Sequence, residues 1–139
     1  MLLIDNSAWS LLLSGGIPRP RVNAVVEMLD SDEIATCLPF LLEAGYSAQS
    51  AADHEQSIGR LVTLPSVPID ADVEAAARKA QRELSRVGHH RLPPIDLMIA
   101  ACAHEAGAGV LHYDRDYEVL AELTSLRFES VWVAPAGSL

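Results

Sequence analysis

Leu2-Leu3-Ile4-Asp5-Asn6-Ser7-Ala8-Trp9 decides how the rest of the chain reads. A short apolar run of the buried-strand kind ends in an acid, and Asn6 or Ser7 then suits the cap of a helix over residues 8–13. The same order recurs near the other end. Gly107 and Gly109 stop a helix and turn the chain into Val110-Leu111-His112, after which Asp114 caps a helix through Leu120. In an open α/β sheet such strand ends converge, because ligands bind in the crevice beyond the carboxyl ends of the strands.

The residues between these runs fit one layered domain spanning 1–139. Val22, Val25, Val26 and Leu29 predict a helix over 22–29 after a loop marked by Gly15-Gly16, Pro18 and Pro20. Glu33 to Thr36 is a candidate strand. Pro39 suits the first turn of a helix running through Glu43 toward Ala52, and another helical stretch covers about His54 to Leu61. Val67-Pro68-Ile69 is extended but demoted by its proline to an edge or a connector. Asp70 caps a long helix whose core face is Val73, Ala76, Ala77, Ala80, Leu84 and Val87, and Gly88 ends it. Pro93-Pro94 lead into a helix from Ile95 or Asp96 to Ala106, and Ser130 to Val133 forms a last strand. Strands separated by helical patterns imply an α/β fold, a mainly parallel sheet with helices on both faces.

Half of the 139 residues are hydrophobic, ample for a packed core, and the net charge of −9 argues against simple electrostatic adhesion to nucleic acid or anionic membrane. Cys37 and Cys102 have no ligand-type spacing and lie among apolar residues, so they read as buried free thiols of a reducing compartment. The chain begins with a strand, shows no basic leader and carries no membrane-length apolar run, which leads us to expect a soluble cytoplasmic protein.

The chemistry is carried by acids. Asp5, Asp96, Asp114 and Asp116 each stand where a strand ends or a helix begins, and each has a plain alternative as a helix cap or a dipole-favoured acid. Glu43 is harder to explain that way. It lies among Phe40, Leu41, Leu42 and Ala44 in a helix that reads as largely buried, where an unpartnered carboxylate is costly. Gathered in one crevice, such carboxylates repel unless protonated or neutralised by cations, and hard cations such as Mg²⁺ take oxygen ligands and share them with phosphates. The pattern therefore points to a metal-dependent enzyme acting on phosphodiesters, most plausibly RNA. Ser7 either adds a hydroxyl to that site or serves as a cap. Arg78, Lys79, Arg82, Arg86 and Arg91 are five of the chain's ten basic residues, with His89 and His90 nearby. They read either as a phosphate-contacting rim or as an ordinary solvated helix face. His54, His104 and His112 show no ligand spacing and read as structural.

With these motifs in place, the chain resembles PIN-domain ribonucleases, and specifically the VapC toxins of toxin–antitoxin pairs. The resemblance lies in residues 3–9, in Pro39 to Tyr46 around Glu43, in Ile95-Asp96-Leu97-Met98-Ile99-Ala100-Ala101, and in His112-Tyr113-Asp114-Arg115-Asp116-Tyr117. It implies a three-layer α/β/α fold with a central parallel sheet and endoribonuclease activity dependent on Mg²⁺ or Mn²⁺. It also implies a homodimer and a small VapB-type antitoxin that inhibits by covering or inserting into the acidic pocket. On this resemblance Asp5, Glu43, Asp96 and Asp114 are the catalytic acids. Asp116 is an additional acid, so that Asp5, Asp96, Asp114 and Asp116 make up the metal set, and Ser7 matches the hydroxyl two residues after the first Asp. Apart from the resemblance, Arg82, Arg86 and Arg91 are the members of the basic stretch that could support the substrate, with the solvated face as the alternative. Relatives cut transfer RNA or ribosomal RNA. The chain departs from them in one respect: His112-Tyr113 stands where many carry Thr or Ser before the last acids. A DNA nuclease and a catalytically inactive PIN-like binding module remain alternatives. A phospho-acceptor receiver domain is disfavoured, since the only lysine, Lys79, falls inside a helix, and a haloacid-dehalogenase-type phosphatase fails because position 7 is Ser.

Overall fold

The computed structural model describes residues 1–89 and 91–139. His90, counted above with the basic rim, lies outside the described residues. In chain order the elements are β1 (Leu2–Ile4), α1 (Asn6–Ser14), α2 (Arg19–Asp30), β2 (Ile34–Cys37), α3 (Leu38–Tyr46) and α4 (Ala51–Leu61). They continue with β3 (Ser66–Val67), α5 (Ala71–Arg86), α6 (Pro94–Ala106), β4 (Gly109–His112), α7 (Asp116–Leu123) and β5 (Ser130–Trp132). The strands form a five-stranded sheet in the order β3-β2-β1-β4-β5. Every described pairing is parallel, as expected for strands joined by helices.

This order contains a reversal. From β1 the chain steps outward to β2 and β3, then crosses back to β4 and outward the other way to β5. Because such crossovers are right-handed, the reversal places the helices after β1 and β2 on one face and those after β3 and β4 on the other. Packing follows this grouping in the main: α5, α6 and α7 touch one another and α3 touches α1 and α4, while α3 also meets α6. The reversal also leaves a crevice between the carboxyl ends of β1 and β4, where the two halves diverge. Gly109 lets these strands approach. A Cβ there would stand 2.7 Å from Leu2 Cδ2 and 2.9 Å from the Glu129 carbonyl oxygen.

Helix α6 is the element that ties the core together. It packs on β1, β4, α3, α5 and α7, and Leu97, Ile99, Ala100, Ala101, Cys102 and Ala103 are all buried. A helix apolar nearly all round belongs in an interior, and its alanines let it lie close to its neighbours. Each large side chain buried this way contributes roughly 1.5–3 kcal/mol. Cys37 of β2 and Cys102 of α6 are free, buried and neighbours, the Cys37 thiol pushed up in pKa by hydrogen bonding to Cys102 and by burial.

Some boundaries differ from expectation. The helix expected to run from Pro39 toward Ala52 ends at Tyr46, and α4 starts afresh at Ala51. Ser50 caps α4 by accepting from the Asp53 N–H at 3.1 Å, and Asp53 Oδ2 accepts in turn from the Gln49 N–H at 3.0 Å. Those local bonds outcompete helix continuation. Helix α2 begins at Arg19, with Pro20 in its first turn, rather than at Val22. Helix α7 begins at Asp116 and runs past Leu120 to Leu123. No helix among the described residues is long and apolar enough to cross a membrane.

Candidate active site

Asp5 leaves β1 in extended conformation and caps α1. It is 3 % exposed, and protein donors surround it. Its Oδ2 accepts from the Ser7 N–H at 2.9 Å and from the Ser7 hydroxyl at 2.5 Å. The Ser7 oxygen accepts in turn from the Tyr113 N–H at 2.9 Å. One hydroxyl thus fastens the end of β1 to the chain just beyond β4. Ser7→Ala removes both bonds and leaves the Tyr113 N–H unpartnered. We expect a loss of about 1–3 kcal/mol in stability, read by denaturant titration; a variant as stable as the parent would contradict this.

Beyond β4, His112 is buried. Its Nδ1 accepts from the Asp114 N–H at 3.0 Å, and its Nε2 lies 2.7 Å from the Ser130 hydroxyl. An imidazole that accepts at Nδ1 and is neutral carries its proton on Nε2. Burial favours that neutral form, lowering the His112 pKa against the pull of Asp5, Glu118 and Asp114. Asp114 Oδ1 then accepts from the Asp116 N–H at 2.9 Å and so starts α7. The His112 imidazole therefore holds the backbone of Asp114.

Asp96 reaches the same crevice from the first turn of α6, 7 % exposed. Its carboxyl is pushed up to about 8, by burial first and then by the charges of Asp5, Asp114, Asp116 and Glu43. Glu43, half-buried on α3, is raised by burial and by Asp5, with the Asn6 side chain opposing. Asp116 is raised by burial and by Asp114, with a hydrogen bond to Asp96 opposing. Asp96 thus feels all four of the other acids singled out in the sequence, Glu43 feels Asp5 and Asp114, and Asp116 feels Asp114. One oxygen from each of Asp96, Asp114 and Asp116 lies within 4.8 Å of the others. Asp5 and Glu43 flank that triangle. Among the described residues no Lys or Arg pairs with any of them, the one ion pair being His104–Glu105.

An all-oxygen donor set, partly buried, mutually repulsive and without a Lys or Arg partner among the described residues, fits a hard divalent cation. Arg82, Arg86 and Arg91 are exposed, and among the described residues no hydrogen bond or ion pair joins them to the carboxylates. Sequence reading missed Tyr117. Its ring is fully buried, and its hydroxyl donates to Asp5 Oδ1 at 2.8 Å and lies 3.5 Å from Asp96 Oδ1. The available signal was an aromatic one helical turn after Asp114, on the inward face of a short amphipathic helix.

The PIN domain family model matches residues 2–123. Ribonuclease VapC18 of Mycobacterium tuberculosis is 37% identical over 139 residues, covering 98% of this chain and 97% of its own length. Ribonuclease VapC51 of the same organism is 31% identical over 124 residues, covering 88% of this chain and 89% of its own. Among solved structures, a chain of DNA-bound VapBC from Salmonella typhimurium superposes with a TM-score of 0.71 at 21% identity, over 94% of this chain and 98% of that one. A chain of VapBC-5 from Mycobacterium tuberculosis, a member of the VapBC family of toxin-antitoxin systems, gives 0.62 at 21% identity, over 94% and 98%. At that identity the two structures speak for the fold. The family model and the nearly full-length relatives go further: this chain belongs to the PIN-domain family, among its VapC ribonucleases.

Proposed function

We propose that this chain is a Mg²⁺- or Mn²⁺-dependent endoribonuclease toxin that cuts transfer or ribosomal RNA and is neutralised by a VapB-type antitoxin. The observation that carries this is Asp96: a buried carboxylate facing other acids, in a triangle of oxygens with no Lys or Arg partner among the described residues. Asp96, Asp114 and Asp116 would hold the cation, with Asp5 beside them. A divalent ion, when bound, lowers the pKa of a water and offsets charge on the phosphoryl oxygens.

The chain's own residues do the rest. Ser7 and Tyr117 fix Asp5, and His112 fixes the turn that carries Asp114. Glu43, with a proton affinity raised by burial and by Asp5, is suited to receive a proton from the attacking water at its carboxylate. Arg78, Lys79, Arg82 and Arg86 are exposed along α5, with Arg91 just beyond, and would contact the RNA backbone despite a net charge of −9. Leu38, Leu42 and Tyr46, 55%, 63% and 90% exposed, line successive turns of α3, the helix that also bears Glu43. An apolar stripe of this kind suits protein partners, and we assign it to the antitoxin and a second copy of the chain. The free thiols fit a cytoplasmic setting.

The test is cleavage of total RNA by the purified chain, freed of any bound partner, with Mg²⁺, Mn²⁺ or EDTA. A few discrete fragments, abolished by EDTA, are expected. Cutting of DNA with RNA left intact would replace this reading with a DNA nuclease, and failure to bind Mn²⁺ would favour an inactive binding module.

A further inference from the structure

Resting on the cation site proposed above, we infer that Tyr117 is a positioning residue that limits how Asp5 meets the cation. An ionised carboxylate offers about four lone-pair positions. On Asp5, the Ser7 N–H and hydroxyl occupy both positions of Oδ2, at 2.9 and 2.5 Å. The Tyr117 hydroxyl takes one on Oδ1, at 2.8 Å. A single position therefore remains on Oδ1, and it is there that Asp5 would be open to a cation.

The same hydroxyl stands 3.5 Å from Asp96 Oδ1, so it lies between the two carboxylates and spaces them. It is well placed for this work. The Tyr117 ring packs against His112 with centroids 4.8 Å apart and edge-on to Phe128 at 6.4 Å, which fixes where the oxygen sits. The group is neutral, so it separates two acids without adding a charge. Phe at this position would fill the same core but leave Asp5 free to turn and to present a second lone pair.

The experiment compares wild type, Tyr117→Phe, Asp5→Asn and the double variant. Mn²⁺ affinity is read by calorimetry, the bound-ion signal by electron paramagnetic resonance, and kcat and KM on a cleaved RNA. Because Phe conserves the packing, Tyr117→Phe is expected to fold, with Mn²⁺ affinity and kcat each lower by about 10–100-fold and KM within about twofold. The Mn²⁺ signal should change, and the loss of affinity should vanish in the Asp5→Asn background, because the hydroxyl acts through Asp5. Mn²⁺ affinity within twofold of wild type, an equal loss in both backgrounds, or a Tyr117→Phe chain that does not fold would each overturn the inference and leave Tyr117 as core packing. Wild type that takes up no Mn²⁺ would overturn the cation site itself, and this inference with it.

Discussion

Asp96→Asn should lose RNA cleavage by about 10²–10³-fold, the scale on which removing one preorganised electrostatic group acts, yet be the more stable protein when both are free of divalent cations. Asn keeps the shape of the side chain at the start of α6 but removes a charge that is 7 % exposed and surrounded by Asp5, Asp114, Asp116 and Glu43. The carboxyl rises to about 8 in the fold. At pH 8 a substantial share of it is therefore ionised against burial and like charge. Relief of that strain should raise stability by roughly 1–3 kcal/mol in EDTA. Denaturant titration at pH 8 in EDTA, beside an RNA cleavage assay, checks both halves. A variant that cuts at the parent's rate, or one less stable than the parent in EDTA, would remove Asp96 from the centre of the site.

Without divalent cations the wild-type chain should lose stability as pH rises from about 4 to about 8. The Asp96 carboxyl moves from an ordinary 3.8 to about 8 on folding. Between those values the folded chain keeps a proton that the unfolded chain has released, and each pH unit costs the fold up to ~1.4 kcal/mol. Below this window both states are protonated, and above it both are ionised, so the slope ends at either side. Glu43 and Asp116, also raised, act in the same sense. His112 acts in the opposite one. Burial lowers its pKa, so acid adds a proton to the unfolded chain first and offsets part of the gain at low pH. A cation takes the place of the Asp96 proton. Apparent Mn²⁺ affinity should therefore rise by up to about tenfold per pH unit below 8, and saturating Mn²⁺ should raise the melting temperature more at pH 8 than at pH 6. Equal thermal shifts at both pH values would show that the cation displaces no proton there.

The sheet was legible because its central strands are written in apolar residues, Leu2–Ile4 and Gly109–His112, each followed by an acid and a helix. The acids were legible for the same reason: strand ends and helix starts are marked in local sequence. The halt at Ser47 was not read, although Ser50 and Asp53 spell a helix cap, because the apolar run through Tyr46 outweighed them. The supporting bonds were less visible still. Tyr117 meets Asp5 across 112 positions and Ser7 meets Tyr113 across 106. Nothing local marks a bond of that span. The meeting of Cys37 with Cys102 belongs to the same class, since it arises only where α6 packs beside α3 and β1.

The interior position of β4 has a consequence for the order of synthesis. It lies between β1 and β5 although β2 and β3 precede it in the chain. Until Gly109–His112 emerges, β1 has one bare edge, Asp5 lacks its Tyr117 donor, and Ser7 has no Tyr113 to hold. Asp114 and Asp116 follow only after that strand. On the proposed function, a chain cut short before β4 would lack both the crevice and two of its acids, and would not cleave RNA.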